Sequence, residues 1–154
     1  MLSKKYYWIK TSVEFFNQDS IDNLLAKKRG CEYVIIYQML LLMTANTGGY
    51  LANSINGAMI PFDIAKIVRE TKYFDAEIIV ESLSFFRELG LIDVIKDEKS
   101  GASVYHIVKI DEMIGSETNY AIEKRKYREK KALKKARRTK ENNVHQEDKG
   151  QPIK

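Results

Sequence analysis

The residues with the clearest capacity for chemistry are the cations that crowd one segment near the end of the sequence. Between Lys124 and Arg138, ten of fifteen residues are lysine or arginine. Such a run binds polyanions, because each cation can replace a condensed counterion on a phosphate. A solvated charge run that aids solubility is the plain alternative. The candidate DNA-binding residues of this run are Lys124, Arg125, Lys126, Arg128, Lys130, Lys131, Lys134, Lys135, Arg137 and Arg138.

Charge is distributed unevenly along the 154 residues. Residues 1–115 contain 13 Lys+Arg and 15 Asp+Glu, a net charge of −2, whereas residues 116–140 contain 11 and 3, a net charge of +8. A mildly acidic body with a strongly basic arm favours a nucleic-acid partner. The sequence therefore predicts a folded domain over 1–115, a basic helical arm over 116–140 that Ser116 caps, and a disordered polar tail over 141–154.

Motifs of catalysis and of metal binding are missing from the sequence. No Walker-type glycine loop, no Gly-x-Ser-x-Gly phrase and no His-Glu-x-x-His phrase occurs. The single cysteine, Cys31, and the two histidines, His106 and His145, lack the spacing of metal ligands. We therefore expect a protein that is not an enzyme and that holds no metal and no cofactor.

Hydropathy indicates neither secretion nor membrane insertion. The N-terminal phrase MLSKKYYWIK has no apolar signal-peptide core. The most apolar run, Tyr33–Met43, is about half the length that spans a bilayer. A single cysteine excludes an internal disulfide, which suits a reducing compartment. We expect a cytoplasmic protein with no membrane partner.

Periodicity predicts the elements that would position the cations. The first half of the chain should hold a strand over Lys5–Lys10 and a short helix that Asp19 or Ser20 caps and Gly30 ends. A long buried helix should then begin at Cys31, with its stop at Gly48-Gly49. The dipeptide Asn56-Gly57 then predicts a hairpin turn between two short apolar arms. These elements form an N-terminal strand-and-helix extension and the first helix of the domain.

A helix, a second helix and a hairpin follow in that order. The first helix starts after Pro61, and the second is capped by Asp75 and ends at Gly90. The apolar arms 91–95 and 104–110 form the hairpin. This order is typical of a winged helix-turn-helix, in which the hairpin is the wing. The predicted fold is therefore α+β and mainly helical: a winged helix-turn-helix with an N-terminal extension and a C-terminal basic helix.

The predicted helix over 75–89 occupies the place of a recognition helix, which enters the major groove in a helix-turn-helix. Ser84 and Arg87 are its candidate contacts to DNA. A carboxylate can accept a hydrogen bond from the amino group of cytosine, but several carboxylates facing phosphates would be repelled. Groove insertion and simple packing with solvated acids are both open. The acidic side chains in question are Asp75, Glu77, Glu81 and Glu88.

Two pairs of residues flank this helix and are further candidate contacts to the DNA backbone. Lys72 and Tyr73 precede the helix in the turn that leads into it. Lys96 and Lys99 lie in the predicted wing loop, where two neighbouring carboxylates, Asp97-Glu98, cancel their charge. Contact with phosphates and a plain solvent loop are equally open for the wing.

Four phrases of the sequence resemble the N-terminal domain of phage replisome organisers. They are KKYYWIK with Phe15-Phe16, YVIIYQMLLLMTANTGGYL, FFRELGLIDV and, most specifically, EMIGSET leading into a basic helix. The resemblance covers roughly residues 1–131. It implies a winged-helix domain that binds repeats at a replication origin, alters the DNA locally and helps to bring in the helicase through its loader.

Residues and resemblance together predict a DNA-binding phage replication initiator. Its expected partners are double-stranded DNA at a replication origin, a helicase loader or helicase, and a second copy of the chain. Its expected location is the cytoplasm or nucleoid of a bacterial host. Two alternatives stay open: a winged-helix protein-interaction or oligomerisation module of a replication complex, and a winged-helix transcription regulator.

Overall fold

A computed structural model describes residues 5–150 of the chain, with side chains at 5–118 and 120–142. Within these limits the chain forms two compact units. Residues 7–115 form one unit, here called the body, and residues 116–150 together with residues 5 and 6 form the other, here called the arm. The predicted division into three parts stays a prediction, and the end of its polar tail, 151–154, lies outside the described residues.

The fold is α+β, as predicted, with helices between short antiparallel strands. Single 3₁₀ turns occur at Phe15–Asn17, Ala45–Thr47 and Ile110–Glu112. The helices and strands follow in chain order: β1 (Lys5–Ile9), α1 (Asp19–Leu25), α2 (Gly30–Met43), β2 (Ala52–Ile55), β3 (Ala58–Pro61), α3 (Ile64–Thr71), α4 (Ala76–Glu88), β4 (Ile92–Lys96), β5 (Ser103–Ile107), β6 (Ile114–Thr118) and α5 (Asn119–Gly150).

The strands pair as short antiparallel ladders. β1 pairs with β6, β2 with β3, and β4 with β5. In the β4–β5 hairpin, Ile92 lies opposite Ile107 and places both apolar side chains on the buried face. Residues 49–51 run along β5, since Leu51 N donates to Tyr105 O at 2.9 Å. The hairpin thereby gains a short third strand, which anchors it to the helices.

One buried cluster joins the helices of the body to the β4–β5 hairpin. Its side chains come from α1, α2, α3, α4 and both hairpin strands. Burying each such aliphatic or aromatic side chain contributes about 1.5–3 kcal/mol. This cluster fixes the position of α4 relative to the hairpin. Its fully buried members include Ile21, Leu24, Ile36, Leu40, Ile67, Ile78, Ile79, Phe86, Ile92 and Ile107.

The order α3, α4, β4, β5 is the order that the sequence predicted. Asp75 caps α4 as expected, because its Oδ1 accepts from Ile78 N at 3.0 Å. Gly90 follows the helix with a φ of +76°, the left-handed conformation that ends many helices. The Asn56-Gly57 turn joins β2 to β3, also as expected. The assignment of this arrangement as a winged helix-turn-helix stays a prediction.

Helix α3 begins three residues after Pro61, which ends β3, and Asp63 caps it by accepting from Lys66 N at 2.7 Å. Three other predicted helix boundaries are wrong. Gln18, without a side-chain hydrogen bond, occupies the N-cap of α1, so Asp19 lies in the first turn. Helix α2 ends at Met43, before the predicted stop at Gly48-Gly49. Ser116 lies within β6, and Thr118 Oγ1 instead accepts from Ala121 N at 3.2 Å where α5 begins.

Gly30 begins α2 and does not end α1. A Cβ at this position would collide with the carbonyl oxygen of Leu24 and the backbone of Leu25. The glycine therefore permits a close approach between the end of α1 and the start of α2. The helix that follows is buried on most sides, but it leaves Ile35 and Leu42 exposed, so the predicted complete enclosure is only partly realised.

We expect Gly30→Ala to lower the free energy of unfolding by about 1–3 kcal/mol, because the added methyl overpacks a backbone contact. Urea denaturation followed by circular dichroism measures this change. Cys31→Ala is the comparison variant, because Cys31 is the next residue of α2 and its side chain is exposed. A Gly30→Ala protein as stable as the parent would contradict the close approach.

Candidate nucleic-acid interface

The arm is a helix with almost no buried surface. Every residue from Glu123 to Asn142 in α5 is exposed. A helix without an apolar face gains little from packing, so its helicity depends on intrinsic propensity and local pairs. Its alanine, lysine, arginine and glutamate residues are all strong helix formers. The structure thus places all ten predicted cations of the arm on one continuous, solvent-accessible helix.

Three local interactions support the first turns of α5. Arg125 Nη1 lies 2.9 Å from the carboxylate of Glu117, whose side chain is mostly buried, and Arg125 Nε lies 3.9 Å from Glu129. Lys124 Nζ lies 5.9 Å from the centre of the Tyr120 ring. Arg125 is therefore partly neutralised within the arm. Among the described side chains, the other nine predicted cations make no ion pair.

In the body, α4 presents one polar face to solvent. Ser84 and Arg87, both predicted contacts, lie on this face together with Glu77, Glu88 and Val80. Val80 is 53% exposed although it stands between polar neighbours. The opposite face of the helix is buried in the core. Ser84 and Arg87 are thus brought together and are both accessible to a ligand.

Two of the four carboxylates of α4 accept hydrogen bonds. Asp75 caps the helix and stays exposed at its N-terminus, and Glu81 accepts a hydrogen bond from the hydroxyl group of Tyr33 on α2. Glu77 and Glu88 lie on the same exposed face as Ser84 and Arg87. Because Arg87 lies beside them, this face carries a net charge of about −1, which reduces the repulsion that the sequence predicted.

Tyr33 sits at the junction of α2 and α4. Burial, and then the hydrogen bond to Glu81, raise the pKa of Tyr33 to about 12. Its ring packs edge-on against Phe85 with centroids 5.1 Å apart, and Lys27 Nζ lies 4.3 Å from the centre of the Phe85 ring. This cluster holds α4 against α2 and fixes the direction in which Glu81 points.

The tip of the β4–β5 hairpin is bonded to the β2–β3 hairpin. Asp97 Oδ2 accepts from Met59 N at 3.1 Å, and from Ser100 through Oγ at 2.7 Å and N at 3.0 Å. These hydrogen bonds, led by the Ser100 hydroxyl, lower the pKa of Asp97. Lys99 Nζ lies beside the other turn, only 2.6 Å from where a Cβ of Gly57 would stand. Hydrogen bonds therefore fix the predicted wing loop against the β2–β3 hairpin, and both of its lysines, Lys96 and Lys99, are exposed.

The turn between α3 and α4 holds the remaining predicted contacts. Lys72 is exposed and adopts a left-handed backbone conformation with a φ of +65°. Tyr73 is 81% exposed, so its ring projects from the body. The predicted residues thus fall into two groups. The turn, the α4 face and the hairpin, with Lys96 and Lys99, belong to the body, and the ten cations of α5 belong to the arm.

No metal centre is visible in the part of the chain that the structure describes: no group of three or more His, Cys, Asp or Glu side chains could hold an ion there. Both ring nitrogens of His106 contact neighbouring groups of the body. Its Nε2 lies 3.2 Å from Gly48 O, and its Nδ1 lies 3.3 Å from Asp93 on the paired strand. Across residues 5–150, no helix has the length and apolar character needed to cross a membrane.

Comparison with known protein families shows to which family the chain belongs. The profile of the N-terminal phage replisome organiser matches residues 8–141. The chain belongs to this family. The match includes the whole body after its first residue and the basic segment of the arm, so every predicted DNA-binding residue lies within it. Neither the curated proteins nor the solved structures gave a match.

Membership of the replisome organiser family assigns the chain a role in phage replication. Within this organiser domain, sequence reasoning missed Tyr33 as the residue that engages Glu81, because the two are 48 positions apart. It also missed the bond between Asp97 and Met59, 38 positions apart. The only available signals were a tyrosine on a helix predicted to be buried and a carboxylate in a tight turn, and neither identifies its partner.

We expect Tyr33→Phe to lower the free energy of unfolding by about 1–2 kcal/mol at pH 7, because a hydrogen bond to a carboxylate is lost. The raised pKa also sets a pH dependence. The contribution of Tyr33 is complete below pH 10 and declines as pH rises toward 12, where the hydroxyl ionises beside Glu81.

Urea denaturation at a series of pH values measures both effects. Phe85→Leu is the control, since it loosens the same cluster without removing an ionisable group. A Tyr33→Phe protein that keeps the full decline of the parent between pH 10 and 12 would show that Tyr33 does not cause it.

Proposed function

We propose that this chain is the DNA-binding domain of a phage replication initiator. It binds repeats of double-stranded DNA at a replication origin and helps to recruit the helicase loader or helicase. It acts by binding and not by catalysis, in the cytoplasm or nucleoid of a bacterial host. Membership of the replisome organiser family supports the replication role, and the electrostatics of the arm support DNA as the ligand.

The exposed basic helix is the observation that carries this proposal. Residues 116–140 hold 11 Lys+Arg and 3 Asp+Glu, and one of the few acids near them, Glu117, already pairs with Arg125. Nine predicted cations have no ionic partner among the described residues. Phosphates of a duplex supply that partner at regular spacing, and their counterions gain entropy on release. The arm thus supplies affinity that depends little on sequence.

The body supplies orientation and base contacts in this proposal. Its α3, α4 and the β4–β5 hairpin take the roles of a winged helix-turn-helix, with residues 49–51 as the strand that extends the hairpin. α4 enters the major groove, where Ser84 and Arg87 offer donors. The hydrogen bond from Tyr33 supports this role, since it holds the Glu81 carboxylate against α2.

A truncation that removes the basic run tests the proposal. The chain should end at Ile122, which preserves β6 and the half-buried start of α5. At about 100 mM salt we expect at least a hundredfold weaker binding to origin duplex, because about six phosphate contacts are lost. Fluorescence anisotropy measures the affinity, and circular dichroism checks that the body stays folded.

A chain that ends at Asn142 is the matched control. It lacks the end of the sequence but keeps the ten predicted cations, so it should bind as tightly as the full chain. Equal affinity of the two truncated chains for duplex would contradict the role of the arm.

A second candidate function is a protein-interaction module, and the surface around Val80 favours it. Val80 borders a shallow depression that Ile64, Leu83 and Tyr105 also line. An exposed apolar centre with carboxylates at its edge is common in surfaces that dock another protein. In this version α4 contacts a second copy or a helicase loader, and the arm alone contacts DNA.

Charge reversal on α4 separates the two functions. If α4 lies at the DNA, Glu77→Lys with Glu88→Lys should strengthen duplex binding by about tenfold, since repulsion is replaced by two phosphate contacts. Asp22→Lys with Asp111→Lys is the control: it makes the same charge change at exposed positions elsewhere in the body. Gel shift and analytical ultracentrifugation measure binding and association.

The control pair should strengthen binding clearly less than the α4 pair does. Equal gains from both pairs would mean that α4 has no special proximity to DNA. A loss of self-association in the α4 variant alone would favour the protein-interaction module.

A further inference from the structure

Two tyrosines of the arm are solvent-exposed and have lysines and arginines as neighbours. Tyr120 and Tyr127 are each 67% exposed, and neither hydroxyl group makes a hydrogen bond within the described residues. A single exposed aromatic ring is ordinary on a protein surface. Two exposed rings among the cations of one helix give that helix a surface that can contact flat apolar groups as well as negative charge.

The two rings lie on one face of α5 together with lysines. Positions 120, 124, 127 and 131 follow the i, i+4, i+7 spacing that aligns side chains along a helix. Lys124 Nζ already lies 5.9 Å from the centre of the Tyr120 ring. The result is a stripe in which rings and cations alternate, here called the tyrosine–lysine stripe: Tyr120, Lys124, Tyr127 and Lys131.

The other side of the helix has different neighbours. Arg125 points toward Glu117 and Glu129, with which it forms ion pairs. Ile122 is half-buried, and Leu133 lies on the same side as Ile122 at the helical spacing of eleven residues. The local ion pairs of the arm thus occupy the side opposite the tyrosine–lysine stripe, and the stripe itself stays accessible.

Unpaired bases are the ligand that matches rings alternating with cations. In a duplex the base faces are stacked on one another and cannot reach a side chain on the phosphate surface. In a single strand, each base has a free face that can stack on an aromatic ring, while its phosphate meets a cation. Tyrosines on a basic element are the usual means by which proteins hold single strands.

We propose that the tyrosine–lysine stripe binds single-stranded DNA, a ligand beyond the duplex of the proposed function. The stripe would hold one strand where the duplex has opened beside the bound domain. From Tyr120 to Lys131 the stripe spans about 17 Å. That length corresponds to about five nucleotides at a stacked rise of about 3.4 Å each. The arm then binds duplex through its charge alone and single strands through charge and stacking.

The test compares full-length variants on two probes, a labelled twenty-nucleotide oligothymidine and a twenty-base-pair duplex. Tyr120→Leu with Tyr127→Leu removes both rings but keeps apolar, helix-forming side chains. We expect this variant to bind oligothymidine at least tenfold more weakly in anisotropy titrations and to bind the duplex within twofold of the parent.

Two control variants keep the outcome decisive. Tyr120→Phe with Tyr127→Phe preserves the rings and should bind both probes within twofold of the parent. Leu133→Ala removes an equally exposed apolar side chain, 66% accessible, from the other side of α5, and should also leave both affinities unchanged. Circular dichroism verifies equal helix content in all variants.

The proposal is overturned if the parent ignores oligothymidine, if the double leucine variant binds it within twofold of the parent, or if the variant loses as much affinity for duplex as for the single strand. The proposed function is decided separately. Absence of duplex binding by the parent chain would contradict origin binding, whereas the oligothymidine titrations alone decide this inference.

Discussion

Mutual repulsion among the cations of α5 is the constraint on which the rest of the account depends. Like charges within a few ångströms of one another destabilise a helix, and the described part of the arm offers only a few carboxylates in compensation. Burial gives no help, because residues 123–142 are all exposed. A bound polyanion would reduce this repulsion between the cations, and the relief would add to the affinity of the arm for the polyanion. This is the physical reason for proposing that the arm binds a polyanion.

The body differs from the arm in that several of its charged side chains accept hydrogen bonds from other groups of the body. Asp75 caps a helix, Glu81 accepts from a buried tyrosine, and Asp97 fastens one hairpin to another. These hydrogen bonds fasten neighbouring elements of the body to one another. Membership of the phage replisome organiser family gives the chain a role in phage replication.

The sequence predicted most elements of the fold but not the contacts between them. Apolar periodicity located the helices, and the Asn56-Gly57 turn and the Asp75 cap are local signals that the structure confirms. Caps chosen among several nearby polar residues were wrong at Ser116 and at Asp19-Ser20, since sequence alone ranks such candidates poorly. Gly30 was misread because a close approach of two backbones leaves the same signature as a helix stop. The hydrogen-bond partners of Glu81 and Asp97 could not be predicted from the sequence, because only folding brings these distant residues together.

The salt dependence of duplex binding tests the central claim most directly. The full chain should be titrated onto one origin duplex at salt concentrations from 50 to 200 mM. If about six cations of α5 engage phosphates, log K should fall with log salt at a slope near −5, and affinity should drop roughly a thousandfold over this range. A slope near zero, or no binding at 50 mM salt, would contradict the account.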